Sequence, residues 1–331
     1  MNYATAFAKA KAWLDKVHDG IDPAAEREVA RAAEALKFNI AVEQYLAKLA
    51  EGVRASTMES ARRYLTGRYF KPLFNKPLAK VTQSDVEQCL DAITQKPTRG
   101  AAERRLSAFY VWAIRKSHAA SNPVAFTEPV KKPPGRGRVL SADEIKKVWD
   151  ALDDDDLGKI IKLLLLTGCR ANEIGRLKWS ELNLESATLT LQPERCKNGR
   201  AHTLPLPPMA LQIIQQVEKR DGRDFLFGKW GPNGFTFWER QKALIGPLGL
   251  AHWTIHDLRR TTATQMAELG IEPHVIEAIL NHVSGHKQGI AGIYNRASYA
   301  KQMKVALALW ADHLESIAKD ADRKVVPRRR A

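Results

Sequence analysis

Cysteine is scarce: Cys89, Cys169 and Cys196 are the only three in 331 residues, and none forms a CxxC spacing. Three thiols cannot all pair, so neither a disulfide framework nor a structural zinc site is expected. Long apolar runs are lacking as well. The longest, "IIKLLLL", covers about a third of a membrane span and contains Lys162. The first residues carry no signal-peptide pattern, so a soluble protein of the reducing cytoplasm is expected, with no membrane partner. Acidic residues are outnumbered, 37 Asp+Glu against 52 Lys+Arg, which gives a net charge of +15. Such a balance speaks to an anionic partner, nucleic acid first. What the chain does have is 44% hydrophobic residues, enough to bury a core in each of two domains.

Residues 4–20 and 24–37 read as two helical pieces broken at "DGIDP", where Gly20 can cap one and Pro23 can start the next. The stretch 1–36 therefore reads as an attachment, not as a domain. From 37 to 120 the pattern is helical throughout, in "FNIAVEQYLAKL", "TMESARRYLTGRYFKPL", "TQSDVEQCLDAITQ" and "GAAERRLSAFYVWAIRKSHA", which describes a small bundle. Residues 96–138 hold ten Lys/Arg against two acids. Arg99, Arg104, Arg105, Arg115, Lys116, Lys131, Lys132, Arg136 and Arg138 are accordingly candidates for contact with DNA, with a solvated face as the plain alternative. Residues 121–140 include "TEPVKKPPGRGRVL" and read as a basic, extended linker.

A second domain is expected over 141–318, with a basic tail, 319–331, after it. It opens on a capping box, Ser141 with Glu144. Two β-like runs flank Asn198-Gly199, a strong hairpin signal. The fold class is thus mainly α with a small β-sheet. "DDDD" at 153–156 reads as a solvated loop, and His202, His252 and His286 show no metal-ligand spacing.

Four fragments of this second domain carry reactive side chains. In "LLLLTGCRANEIGRLKW" an apolar helix stops at Gly168 and Arg170 begins the next, with Glu173 at i+3 able to brace it. Lys197 directly precedes Asn198-Gly199. In "WTIHDLRRTTAT" Thr254 and Asp257 form a capping box, and His256 and Arg259 share one face. "LNHVSGHKQGIAGIYNR" offers His282 and Tyr294. Taken singly, each also reads as an ordinary ion pair, a surface cation or core packing.

The ordered set Arg, Lys, His-x-x-Arg, His, Tyr resembles the tyrosine recombinases, also called the phage integrase family. The resemblance spans nearly the whole chain, and "LNHVSG" and "DGIDPAAER" are most similar to integrases of prophages and genomic islands. It implies a helical core-binding domain and an α+β catalytic domain, with 1–36 as the remnant of an arm-binding domain. It also implies a catalytic set of Arg170, Lys197, His256, Arg259, His282 and the nucleophile Tyr294, supported by Glu173. Tyr299 is the rival nucleophile.

By the family's mechanism Tyr294 forms a 3′-phosphotyrosine link to DNA, Lys197 protonates the leaving 5′ oxygen, His256 serves as acid/base and His282 bonds a phosphate oxygen. A phenol with pKa about 10 is roughly one part in a thousand ionised at neutral pH, so the site must activate it. Forked donation from Arg170 and Arg259 to the nonbridging oxygens would stabilise the charge that develops there. No cofactor and no metal is required. The partners implied are duplex attachment sites, a homo-tetramer on synapsed DNA, and an excisionase or host DNA-bending protein, with residence on the nucleoid. The helix "YAKQMKVALALWADHLESI" can dock on a neighbouring subunit or pack on its own domain. Competing readings are a DNA-binding regulator, a recombination-deficient truncated integrase, a type IB topoisomerase and, less favoured, a metal-dependent nuclease.

Overall fold

The computed structural model describes residues 3–19, 22, 36–130, 137–228, 234–235, 248–282 and 297–319. The chain divides into two compact units, Met1–Pro134 and Gly135–Ala331.

The first unit carries α1 (Tyr3–His18), α2 (Phe38–Ala50), α3 (Ala55–Leu65), α4 (Gln83–Asp91) and α5 (Lys96–Arg115). The helical piece expected over 24–37 lies almost wholly outside the described residues. Aromatic side chains fill the core, where Phe109 of α5 meets Phe38 of α2 edge-on at a centroid distance of 5.4 Å. The expected continuous helix 57–73 is broken. At Gly67 a Cβ would lie 2.3 Å from the Arg63 carbonyl oxygen, and Pro72 lacks an N–H. The chain ends α3 at Leu65 and continues as a 3-10 turn, Arg68–Leu73.

The expected linker is shorter than 121–140. Asn122 donates to Ser107 Oγ at 3.0 Å and accepts from the Val124 N–H at 3.0 Å. Gln83 holds the Phe126 carbonyl, and Arg99 holds that of Glu128 at 3.0 Å. The segment thus belongs to the helical unit at least to Glu128. On the other side Leu140 is fully buried, and its N–H donates to Thr261 Oγ1 at 2.9 Å.

The second unit carries α6 (Ala142–Asp150), α7 (Asp156–Thr167), α8 (Ala171–Gly175), α9 (Pro208–Gln215), α10 (Ile255–Glu268), α11 (Pro273–Ile279) and α12 (Ala300–Ala318). Its sheet is antiparallel, in the order β1 (Leu182–Asn183), β2 (Thr188–Leu191), β3 (His202–Pro205). Helix α7 is apolar on nearly every side and forms the centre of the core. The "DDDD" segment is not simply a solvated loop. Asp155 caps α7 by accepting the Gly158 N–H at 2.9 Å, and Asp156 accepts the Gly228 N–H at 2.8 Å.

In the sheet, Leu191 pairs with His202 and Leu189 with Leu204, all four buried, while Thr190 and Thr203 meet on the other face. Asn198-Gly199 is not a two-residue hairpin turn. The strands stop at Leu191 and resume at His202 because Pro193 and the buried Cys196 draw residues 192–196 into a turn, with the Arg195 and Cys196 N–H groups bonding back to Gln192 O. Helix α12 buries Met303, Leu307, Trp310 and Leu314 in its own unit. Trp310 Nε1 donates to the Leu165 carbonyl at 2.7 Å. This helix thus packs on its own domain.

Candidate active site

Helix α7 ends where Gly168 takes a left-handed conformation, φ 64°. A Cβ there would lie 2.8 Å from Leu280 Cδ2, so the backbone favours glycine and any side chain would also have to displace the Leu280 methyl. Two residues later Arg170 starts α8. The buried carboxylate of Glu173 accepts the Arg170 backbone N–H at 2.7 Å and its Nη1 at 2.7 Å. One carboxylate therefore fixes both the start of the helix and the direction of the guanidinium.

Arg259 is presented by α10, whose first turn is set by Thr254 and Asp257. The Asp257 carboxylate accepts the Thr254 N–H at 2.9 Å and its hydroxyl at 2.8 Å. Arg259 is 7% exposed. Its Nη1 donates to Gly168 O at 2.7 Å and its Nη2 to Leu280 O at 2.6 Å. Burial, and then the neighbouring charge of Arg170, lower its pKa to about 10, so the group stays cationic at neutral pH. Two of its five N–H donors are thereby committed to backbone carbonyls. His256 sits on the same first turn and is exposed. Desolvation, and after it the charges of Arg260 and Arg259, holds its pKa below the usual histidine value.

His282 stands at the end of α11. The Asn281 N–H bonds Ala278 O at 3.1 Å and the His282 N–H bonds Glu277 O at 3.0 Å, with Asn281 at φ 48°. This is the Schellman arrangement, in which the left-handed position favours Gly and admits Asn. The departure of "LNH" from the "LGH" common in the resembled family thus has a backbone reason. The next three carbonyls, normally orphaned at a helix end, are each bonded from elsewhere in the unit. Ile279 O lies 3.0 Å from His202 Nε2, Leu280 O accepts from Arg259, and Asn281 O accepts from Asn198 Nδ2 at 3.1 Å. Burial lowers the pKa of His202, so the neutral imidazole donates this bond.

Lys197 is exposed, between the buried Cys196 and the half-buried Asn198. Before it, Arg195 ties the segment to α8. Its Nη2 donates to Glu173 O at 3.0 Å, and its Nε lies 2.9 Å from Glu181 Oε1. Desolvation raises the pKa of the buried Glu181, against the pull of Arg195. Sequence reading gave no site role to His202, Asn198, Asn281, Arg195 or Glu181. The one available signal was Asn where glycine is usual in "LNH".

The other candidates divide. Arg104, Arg115 and Lys116 are exposed. Arg105 is half-buried. Two are committed within the protein: Arg99 pairs with Asp91 at 3.2 Å, and Arg138 pairs with Glu144. Lys131, Lys132, Arg136 and Tyr294 lie outside the described residues. Tyr299 precedes α12, packs against the core, and has its ring 4.9 Å from that of His274. Among the described residues no helix is long and apolar enough to cross a membrane, and no group of three or more His, Cys, Asp or Glu is placed to hold a metal ion.

Residues 138–301 match the model of the phage integrase family. The prophage integrase IntZ of Escherichia coli (strain K12) is 30% identical over 321 residues, 91% of this chain and 78% of the relative. A lambda integrase dimer bound to a COC′ core site superposes with a TM-score of 0.62 at 19% identity, covering 91% of this chain and 89% of that one. A lambda integrase tetramer bound to a Holliday junction gives 0.61 at 20% identity, covering 86% and 88%. The structural likeness shows a shared fold; the IntZ relationship, running through both units and joined to the family match over the second, makes this chain a member of the phage integrase family.

Proposed function

We propose that the chain is a site-specific tyrosine recombinase that cleaves and rejoins duplex DNA through a covalent 3′-phosphotyrosine link, in the integration or excision of a mobile element. The observation that carries this reading is the pair of neighbouring guanidiniums, Arg170 and Arg259. Each is braced by fixed acceptors, and the charge of Arg170 disfavours that of Arg259. A bound phosphodiester relieves that repulsion, and the charge growing on its nonbridging oxygens in the transition state relieves it further.

In the reaction Tyr294 Oη attacks phosphorus and its proton passes to His256. The bond from phosphorus to O5′ breaks, its electron pair leaves on O5′, and Lys197 supplies the proton. His282 bonds a phosphate oxygen. A 5′-hydroxyl from another strand reverses the steps and joins new partners. The lowered pKa of His256 suits it to accept a proton at neutral pH.

The helical unit serves core-site binding, with Arg104, Arg115 and Lys116 exposed for phosphate contact. Lambda integrase tetramers on a Holliday junction support a tetramer on two synapsed sites. An excisionase or host DNA-bending protein and residence on the nucleoid complete the reading.

The test incubates the protein with nicked suicide duplexes, drawn from candidate attachment sites of the source genome, in EDTA. A covalent adduct on a denaturing gel, lost in Tyr294→Phe, is expected. An adduct that persists in Tyr294→Phe would transfer the role to Tyr299. No adduct on any duplex would overturn the reading.

A further inference from the structure

We propose that Asn198 and Asn281 form an amide bridge that positions Lys197, holding its turn against the capped end of α11 so that the ammonium is presented to the leaving oxygen. The proposal rests on the reading of Lys197 as the general acid. An exposed lysine in a turn has a long, rotamer-rich side chain, and only its backbone can be fixed cheaply.

That backbone is held on both sides. Before Lys197, Cys196 is fully buried. After it, Asn198 uses its whole amide. Nδ2 donates to Asn281 Oδ1 at 2.7 Å and to Asn281 O at 3.1 Å, while Oδ1 accepts the Arg200 N–H at 3.1 Å. Gly199, at φ 70°, closes the turn with its N–H on Cys196 O at 3.0 Å.

The receiving end is equally specific. Asn281 occupies a left-handed position that glycine would fill at less backbone cost, yet glycine has no side-chain oxygen to accept the shorter bond. Asparagine satisfies both demands. Because His282 is the next residue, the bridge sets the two candidate catalytic groups on one frame. Two further bonds to the same helix end, from His202 and Arg259, keep that frame in place.

Asn281→Gly keeps the backbone and removes Oδ1, and Asn198→Ala removes both bonds. Asn198→Asp retains the acceptor for Arg200 and turns an acceptor toward the two oxygens, so it should be worse than alanine. A turn displaced by about 1 Å lowers the rate on the order of 10- to 100-fold.

The whole chain is tested on the duplex where the parent forms its adduct, made in two forms with oxygen or sulfur at the bridging 5′ position. A thiolate is a weaker base than an alkoxide and departs without a proton donor. Asn281→Gly and Asn198→Ala should slow cleavage of the oxygen form by that factor and cleave the sulfur form at nearly the parent rate, as should Lys197→Ala. Equal losses on both forms, or no loss, with Lys197→Ala rescued by sulfur, would overturn the bridge alone. Failure of sulfur to rescue Lys197→Ala would overturn the general-acid reading together with the proposal. Without DNA, amide hydrogen exchange in Asn198→Ala should rise at Lys197–Arg200 and at Asn281–His282 together; a rise confined to one turn also overturns it.

Discussion

Arg259 reaches from α10 to the Leu280 carbonyl at the end of α11, a bond of 2.6 Å, and its other terminal nitrogen holds Gly168 at the end of α7. A proposed phosphate ligand is thus also the tie between two helix ends. At Leu280 its positive charge lies at the negative pole of α11.

Arg259→Lys keeps the charge and loses the fork. A lysine reaches one of the two carbonyls at most. DNA cleavage should fall about a hundredfold or more, and stability should fall by about 1 to 3 kcal/mol as a buried carbonyl loses its donor. Suicide-substrate rates and urea melts check the two effects. A variant that lost cleavage with unchanged stability would show that the carbonyl ties contribute nothing.

Gly168→Ala places a Cβ at φ 64° and 2.8 Å from Leu280 Cδ2. The strain and the clash together should cost about 1 to 3 kcal/mol. Cleavage should fall as well, since Leu280 carries the carbonyl that orients Arg259. Thermal melts and adduct formation are the measurements.

As the proposed general base, His256 should set the pH dependence of cleavage. Its pKa lies below the usual value near 6.5. The imidazole is therefore neutral at pH 7, and a base of this kind loses activity only as pH falls through its lowered pKa. The cleavage rate should be level from about pH 6.5 to 8 and drop on the acid side, about tenfold per unit at the limit. His256→Gln should abolish that limb and slow the reaction. A limb above pH 6.5, or one surviving in His256→Gln, would contradict the assignment.

The half-buried Arg195 and the buried Glu181 form an ion pair in the segment that ties Lys197 to α8. Arg195→Ala alone leaves the Glu181 carboxylate with the Lys178 N–H but without its guanidinium partner, and should cost about 1 to 3 kcal/mol. Adding Glu181→Gln should restore part of that loss, because the remaining amide carries no charge to bury. Urea denaturation of the two variants decides it. A double variant no better than Arg195→Ala would mean that packing, not charge, is what Arg195 supplies.

What the sequence disclosed was local. Ser141 with Glu144, Thr254 with Asp257, and Arg170 with Glu173 are spaced i to i+3, a separation whose geometry a helix start dictates, and each bond is present. The contacts that complete the candidate site are remote. Asn198 and Asn281 are 83 residues apart, His202 and Ile279 are 77, and no periodicity brings them together. Asn198-Gly199 was misread because the turn signal reports only local backbone preference, whereas the Asn198 side chain is claimed by a distant helix end. The "DDDD" run misled for a similar reason: two of its carboxylates have backbone N–H partners, one of them at Gly228. The role of Tyr294 comes from the motif alone, since that residue lies outside the described residues.

The Leu165 carbonyl accepts from Thr262 Oγ1 at 2.9 Å and from Trp310 Nε1 at 2.7 Å, so α7, α10 and α12 meet at a single oxygen. For protein engineering this fixes where the catalytic unit can be cut. An excised fragment that stops short of Trp310 would strip one bond from that oxygen and uncover the apolar side of α7. A fragment of the second unit must therefore extend past Trp310 and the buried Leu314, and a fusion partner belongs after them.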